Sequence, residues 1–98
     1  MIVVTGSITA RSDKFDEARR LSLEHVHRSR AEPGCLYHSV HVDCENPLRL
    51  VFIEHWRDMP ALLAHFQVPG SRDFARALRT LAETTSLEVY EAEQRHVV

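Results

Sequence analysis

A chain of 98 residues with a net charge of −2 has room for one domain, residues 1–98, and offers no electrostatic grip on nucleic acid or an anionic membrane. Its apolar and charged fractions, 44% and 27%, argue for a globular chain rather than a disordered one. No apolar run nears the roughly 20 residues of a membrane span, and MIVVTGSITA lacks the basic start of a signal peptide, so the cytoplasm is the expected location.

Residues 2–9 are rich in β-branched side chains. Ile2, Val4, Gly6 and Ile8 share one parity, which predicts a strand with one apolar face. Ser12 or Asp13 is placed to cap a helix over 14–31. On that helix Phe15, Ala18, Ser22, Val26 and Ser29 fall on one side at helical spacing, and His25 joins them. Pro33-Gly34 ends it. Residues 35–43 alternate as a second strand, Cys44-Glu45-Asn46-Pro47 reads as a turn, and RLVFIEHW (49–56) is a third strand, antiparallel to the second. Asp58 starts the next helix with Pro60 in its first turn. Pro69-Gly70 interrupts it, Ser71 is placed to cap a further helix, and residues 86–93 alternate as a last strand. Cys35 and Cys44 fit neither a disulfide framework nor a zinc spacing and read as packing residues.

The order is β-α-β-β-α-β, the split βαβ arrangement of an α+β, ferredoxin-like domain, with its second helical region broken in two. In RLVFIEHW, Leu50, Phe52, Glu54 and Trp56 take one face, and Val51, Ile53 and His55 the other. Both faces are largely apolar. Helices can cover only one, so the sheet of a second copy is the expected cover for the other.

EPGCLYH (32–38), Asp43 and Pro47, FIEHW (52–56) and ALLAHFQVPGSRDF (61–74) together resemble the antibiotic biosynthesis monooxygenase family, in the right order over nearly the whole chain. The family pattern is E-x-G-C-L-x-Y, a D…P turn, an E-x-W strand and a helix with A-L-x-x-H. The resemblance implies a homodimer whose sheets form a dimeric α+β barrel. It also implies one of several activities: quinol or polyketide monooxygenation without metal or flavin, haem degradation, or isomerisation of a phospho-sugar signal. Two positions depart from the pattern. His38 stands where the family often has Tyr. Phe52 stands where some monooxygenases and haem-degrading members have Asn, which removes an amide that would position substrate or oxygen.

Glu54 is a carboxylate on an apolar strand face, where loss of solvent disfavours its charge. It reads either as a general base with a raised pKa or as a structural partner of an Arg or His. His65 lies at the position of the A-L-x-x-H histidine, on the inward side of its helix, and can exchange a proton near neutral pH. His25 faces inward from the first helix and can join both in a proton relay, or serve as a core histidine. Phe52, Trp56, His38, Phe66 and Leu62 are expected to shape a substrate cavity, with Arg76 at its mouth. The seven histidines show no metal-type spacing along the chain, so neither metal nor cofactor is expected. The expected partners are a small aromatic or quinol-like substrate, molecular oxygen and a second copy of the chain. The function these features point to is a cofactor-independent monooxygenase. A dimeric small-molecule-binding module and a small-metabolite isomerase are the alternatives.

Overall fold

The computed structural model describes residues 1–97 and forms β1 (Ile2–Ala10), α1 (Phe15–Ser29), β2 (Cys35–Asp43), β3 (Asn46–Trp56), α2 (Met59–Gln67), α3 (Pro69–Leu81) and β4 (Ala82–Glu91). The strands make one antiparallel sheet in the order β2-β3-β1-β4. This is the α+β, ferredoxin-like arrangement expected, with the second helical region broken between Gln67 and Pro69.

Burial alternates strictly along β1 and the second half of β3, because successive side chains point to opposite faces. Ile2, Val4, Gly6, Ile8 and Ala10 face the helices, as do Leu50, Phe52, Glu54 and Trp56. Strand register then builds rows across the sheet. Val4 and His38 both lie opposite Glu54; Gly6 and Val40 both lie opposite Phe52. Apolar packing divides into two groups. One gathers Ile8, Leu50, Phe52, Ala18, Val26 and Leu81, and the other Ile2, Val4, Trp56, Ala61 and Leu62. The row carrying His38 and Glu54 runs between them.

Several boundaries differ from those expected. α1 starts at Phe15 with Lys14 at its N-cap, and neither Ser12 nor Asp13 caps it, because the preceding turn is tied by backbone bonds from Arg11 to Leu81 and from Lys14 to Arg11. It stops at Ser29, two residues short of 31. The exit turn uses Gly34 at φ 82°, a left-handed conformation that glycine tolerates. Asp58 caps α2 as expected, its Oδ1 accepting from the Ala61 N–H at 2.9 Å. Ser71 does not cap α3, which begins at Pro69 after Val68. β3 starts at Asn46, so the turn shrinks to Cys44-Glu45 and leaves Cys44 exposed rather than packed. β4 follows α3 without a loop and runs over Ala82–Glu91, not 86–93.

The second sheet face carries half-buried Val3, Val51 and Ile53, with Tyr37 and Tyr90 about half exposed. Among the described residues, no helix packs over it. No helix is long and apolar enough to cross a membrane.

Candidate functional site

Four elements and one loop deliver ionisable side chains to the gap between the two apolar groups. β3 supplies Glu54, β2 supplies His38 directly across the ladder, α1 supplies His25 and α2 supplies His65; Glu32 comes from the turn after α1. His25, His38, His65 and Glu54 are each less than a tenth exposed. The Trp56 indole N–H donates to Glu54 Oε1 at 2.9 Å, and His38 Nε2 stands 3.4 Å from the same oxygen, outside hydrogen-bond geometry. His65 Nδ1 meets Glu32 Oε1 at 2.9 Å, with Ser71 Oγ at 3.5 Å from the same nitrogen. Arg28 Nη2 donates to His25 Nδ1 at 2.9 Å. The three imidazoles crowd one another, with ring centroids 5.1 to 5.7 Å apart. Phe74 stacks on His25 at 4.3 Å.

Of this cluster, His25, Glu54, His65 and Ser71 form the polar end of a cavity of about 520 Å³ between the helices and the sheet. Its remaining wall is mostly apolar. Phe52, Phe66, Phe74, Leu78 and Leu87 line it, and Gly6 leaves room at its floor. Arg79 and Glu83 reach the wall from the end of α3 and the start of β4. A volume of this size suits a one- or two-ring organic ligand.

Burial pushes the Glu54 carboxyl up, but His38, Trp56 and His65 outweigh it, and its pKa ends below the ordinary glutamate value. Of the two readings of Glu54, the one with a raised pKa is therefore overturned on that point: the face is apolar in sequence, but three nitrogen-bearing rings surround the carboxylate, and its pairing with His38 is what the structural-partner reading describes. The His25 pKa falls to about 3, chiefly through burial and then through the neighbouring His65, His38 and Arg28. His25 is thus neutral at physiological pH and a poor proton acceptor.

The family model for antibiotic biosynthesis monooxygenase matches residues 1–77. The chain belongs to the antibiotic biosynthesis monooxygenase family. An uncharacterised protein of Synechocystis is 36% identical over 90 residues, covering 91% of this chain and 61% of that protein, so the chain spans about three fifths of its relative's length. A solved structure of a proposed antibiotic biosynthesis monooxygenase from Deinococcus radiodurans superposes with a TM-score of 0.95 at 26% identity, covering 100% of this chain and 98% of the other. A Pseudomonas aeruginosa protein gives 0.88 at 27% identity, covering 95% and 94%.

On this antibiotic biosynthesis monooxygenase frame, Glu54, His65, His25, Phe52 and Phe66 all line the cavity. Four other expected residues do not. Trp56 and Leu62 are fully buried in the second apolar group, so they support the site from behind. His38 is sealed beneath Glu54 and borders a smaller hollow beside Arg30 and Tyr37. Arg76 points to solvent beside Asp73, one helical turn from Asp73 and off the wall; Arg79 lies at the cavity instead. Glu32, Ser71, Phe74, Gly6 and Arg28 also meet at the site, although none of them stands out as a site residue along the chain. Glu32 opens the EPGCLYH motif, and Phe74 sits at helical spacing with Leu78, but neither spacing reveals that they converge on His65 and His25.

Proposed function

We propose that this chain is a cofactor-independent monooxygenase that oxidises a small quinol, phenol or polyketide-like aromatic with molecular oxygen. The observation that supports it is the placement of the Glu54 carboxylate, oriented by Trp56, beside His25 and His65 on the wall of a cavity whose largest side chains are Phe52, Phe66, Phe74, Leu78 and Leu87. An apolar aromatic ring is desolvated there, and the one hydroxyl that reaches Glu54 meets an ionised carboxylate. That carboxylate is a weak base, since its pKa lies below the ordinary glutamate value, placed to take the proton as charge leaves the oxygen for the ring. Removing that proton leaves an electron-rich anion that can react with oxygen itself. For a hydroquinone the reaction balances without an added reductant. One oxygen atom enters the ring, the other leaves as water, and the quinol supplies the electrons, giving a hydroxyquinone.

Each protein group has a limited task in this scheme. Glu54 takes the hydroxyl proton. His65, fixed by Glu32, moves a second proton on or off oxygen. Phe52, Phe66 and Phe74 hold the ring and exclude water. The half-buried outer sheet face suits a second copy of the chain. Isomerisation through Glu54 and His25 is the weaker reading, because His25 is a poor proton carrier at a pKa of about 3.

Incubation with a hydroquinone in air and under anaerobic conditions tests the proposal. Oxygen uptake above the protein-free rate supports it. Turnover without oxygen points to isomerisation, and saturable binding without turnover points to a binding module.

A further inference from the structure

No histidine pair has metal-type spacing along the chain, but the fold gathers histidines from three elements. His25 of α1, His38 of β2 and His65 of α2 each offer a ring nitrogen, and these atoms lie within 4.8 Å of one another. All three rings are less than a tenth exposed. An ion at the centre of such a triangle sits at most about 2.8 Å from each nitrogen. Zinc–imidazole bonds are about 2.0–2.1 Å, so an inward shift of no more than about 0.7 Å per side chain closes the site.

Two further observations point to a ligand. His38, 1% exposed, has no hydrogen-bond partner for Nδ1 among the described residues, and its Nε2 meets only Glu54 Oε1, at 3.4 Å and outside hydrogen-bond geometry. A buried imidazole with one nitrogen unpartnered and the other held only loosely is costly, and a packed core alone would favour an apolar residue there. His65 has its Nδ1 against the Glu32 carboxylate at 2.9 Å, which leaves Nε2 free. That carboxylate–imidazole pairing is how proteins commonly orient a metal-binding histidine.

We propose that His25, His38 and His65 form a binding site for one divalent transition-metal ion of the zinc class, open on one side toward Glu54 and the cavity. A set of imidazole donors suits zinc, cobalt, nickel or copper rather than magnesium or calcium. His25 must adjust most. Arg28 donates to its Nδ1, so the ring proton is on Nε2; binding through Nε2 moves that proton to Nδ1 and displaces Arg28. The inference does not rest on the proposed oxidation. A bound ion would occupy His65 and His25, so metal loading and proton transfer by these rings compete.

The test uses the untagged chain after chelation. Zinc is titrated calorimetrically, and cobalt is added while the visible bands of the tetrahedral ion are followed. One equivalent of each per chain, with a melting temperature that rises on zinc addition, is expected. His38→Ala and, separately, His65→Ala should each weaken binding by more than about 100-fold. His27→Ala, at an exposed position of α1, should leave it unchanged. Circular dichroism confirms that each variant is folded; where His38→Ala is not, His65→Ala decides. No binding, or binding that survives in the folded variants, overturns the site. Oxygen uptake by the chelated chain is scored separately, so either proposal can fail alone.

Discussion

Replacing Glu54 with Gln separates its chemical role from a structural one. The amide keeps the size of the side chain and an oxygen that can accept from the Trp56 indole N–H, now 2.9 Å from Oε1. What it loses is charge and basicity. A hydrogen bond to a neutral acceptor is weaker than one to a carboxylate by about 1 kcal/mol, and the lower desolvation cost of an amide acts in the opposite direction. For a domain of this length 1 kcal/mol corresponds to about 4–8 °C in melting temperature, so a smaller shift than that is expected. Loss of a general base should lower turnover by about 10²–10⁴-fold. An oxygen electrode and a thermal melt on the same preparation read both quantities. A folded Glu54→Gln variant with turnover within a few-fold of the parent would refute the assignment. A variant that unfolds would show the carboxylate to be a structural partner of His38 and Trp56.

Other perturbations test the packing around the site. Gly34→Ala should destabilise by at least about 1–2 kcal/mol, because φ is 82° and the new Cβ would lie 2.5 Å from Ala61 Cβ; adding Ala61→Gly should recover the clash but not the backbone cost, as read by chemical denaturation. Gly6→Ala adds a Cβ 3.3 Å from the Ser86 carbonyl oxygen and 3.5 Å from Leu87 Cδ1, on the cavity floor. It should fold and bind a two-ring quinol several-fold more weakly, which equilibrium titration measures. Light scattering at micromolar concentration should give twice the chain mass of 11.3 kDa, since the outer sheet face suits a second copy; a monomer mass at all concentrations would contradict this.

The fold was largely legible because its signals are local. RLVFIEHW shows its two faces by parity, Asp58-x-Pro60 marks a helix start, and Pro69-Gly70 marks a break. The boundaries that moved depend on tertiary contacts. β4 gains its first residues only because β1 is alongside to pair with them, and Ser71 turns toward His65 rather than capping. The site was legible where one residue breaks a pattern, as Glu54 does on an apolar face and His65 on an inward helix side. It was illegible where function depends on convergence. Nothing in linear spacing brings Glu32 to His65, which are 33 residues apart, or His38 to both other histidines. The direction of the Glu54 pKa was missed for the same reason: burial can be read from one strand, while His38 and Trp56 act across the ladder and along it.

The most direct measurement follows labelled oxygen into product. The chelated chain is incubated with a hydroquinone under isotopically heavy oxygen gas, and the product is reduced at once to the triol to block exchange with water. Mass spectrometry is then compared for the parent and Glu54→Gln. One heavy oxygen atom per product molecule is expected from the parent, at a rate that falls by about 10²–10⁴-fold in the variant. Product that forms without oxygen, or carries no heavy atom, would contradict a monooxygenase reaction in this cavity.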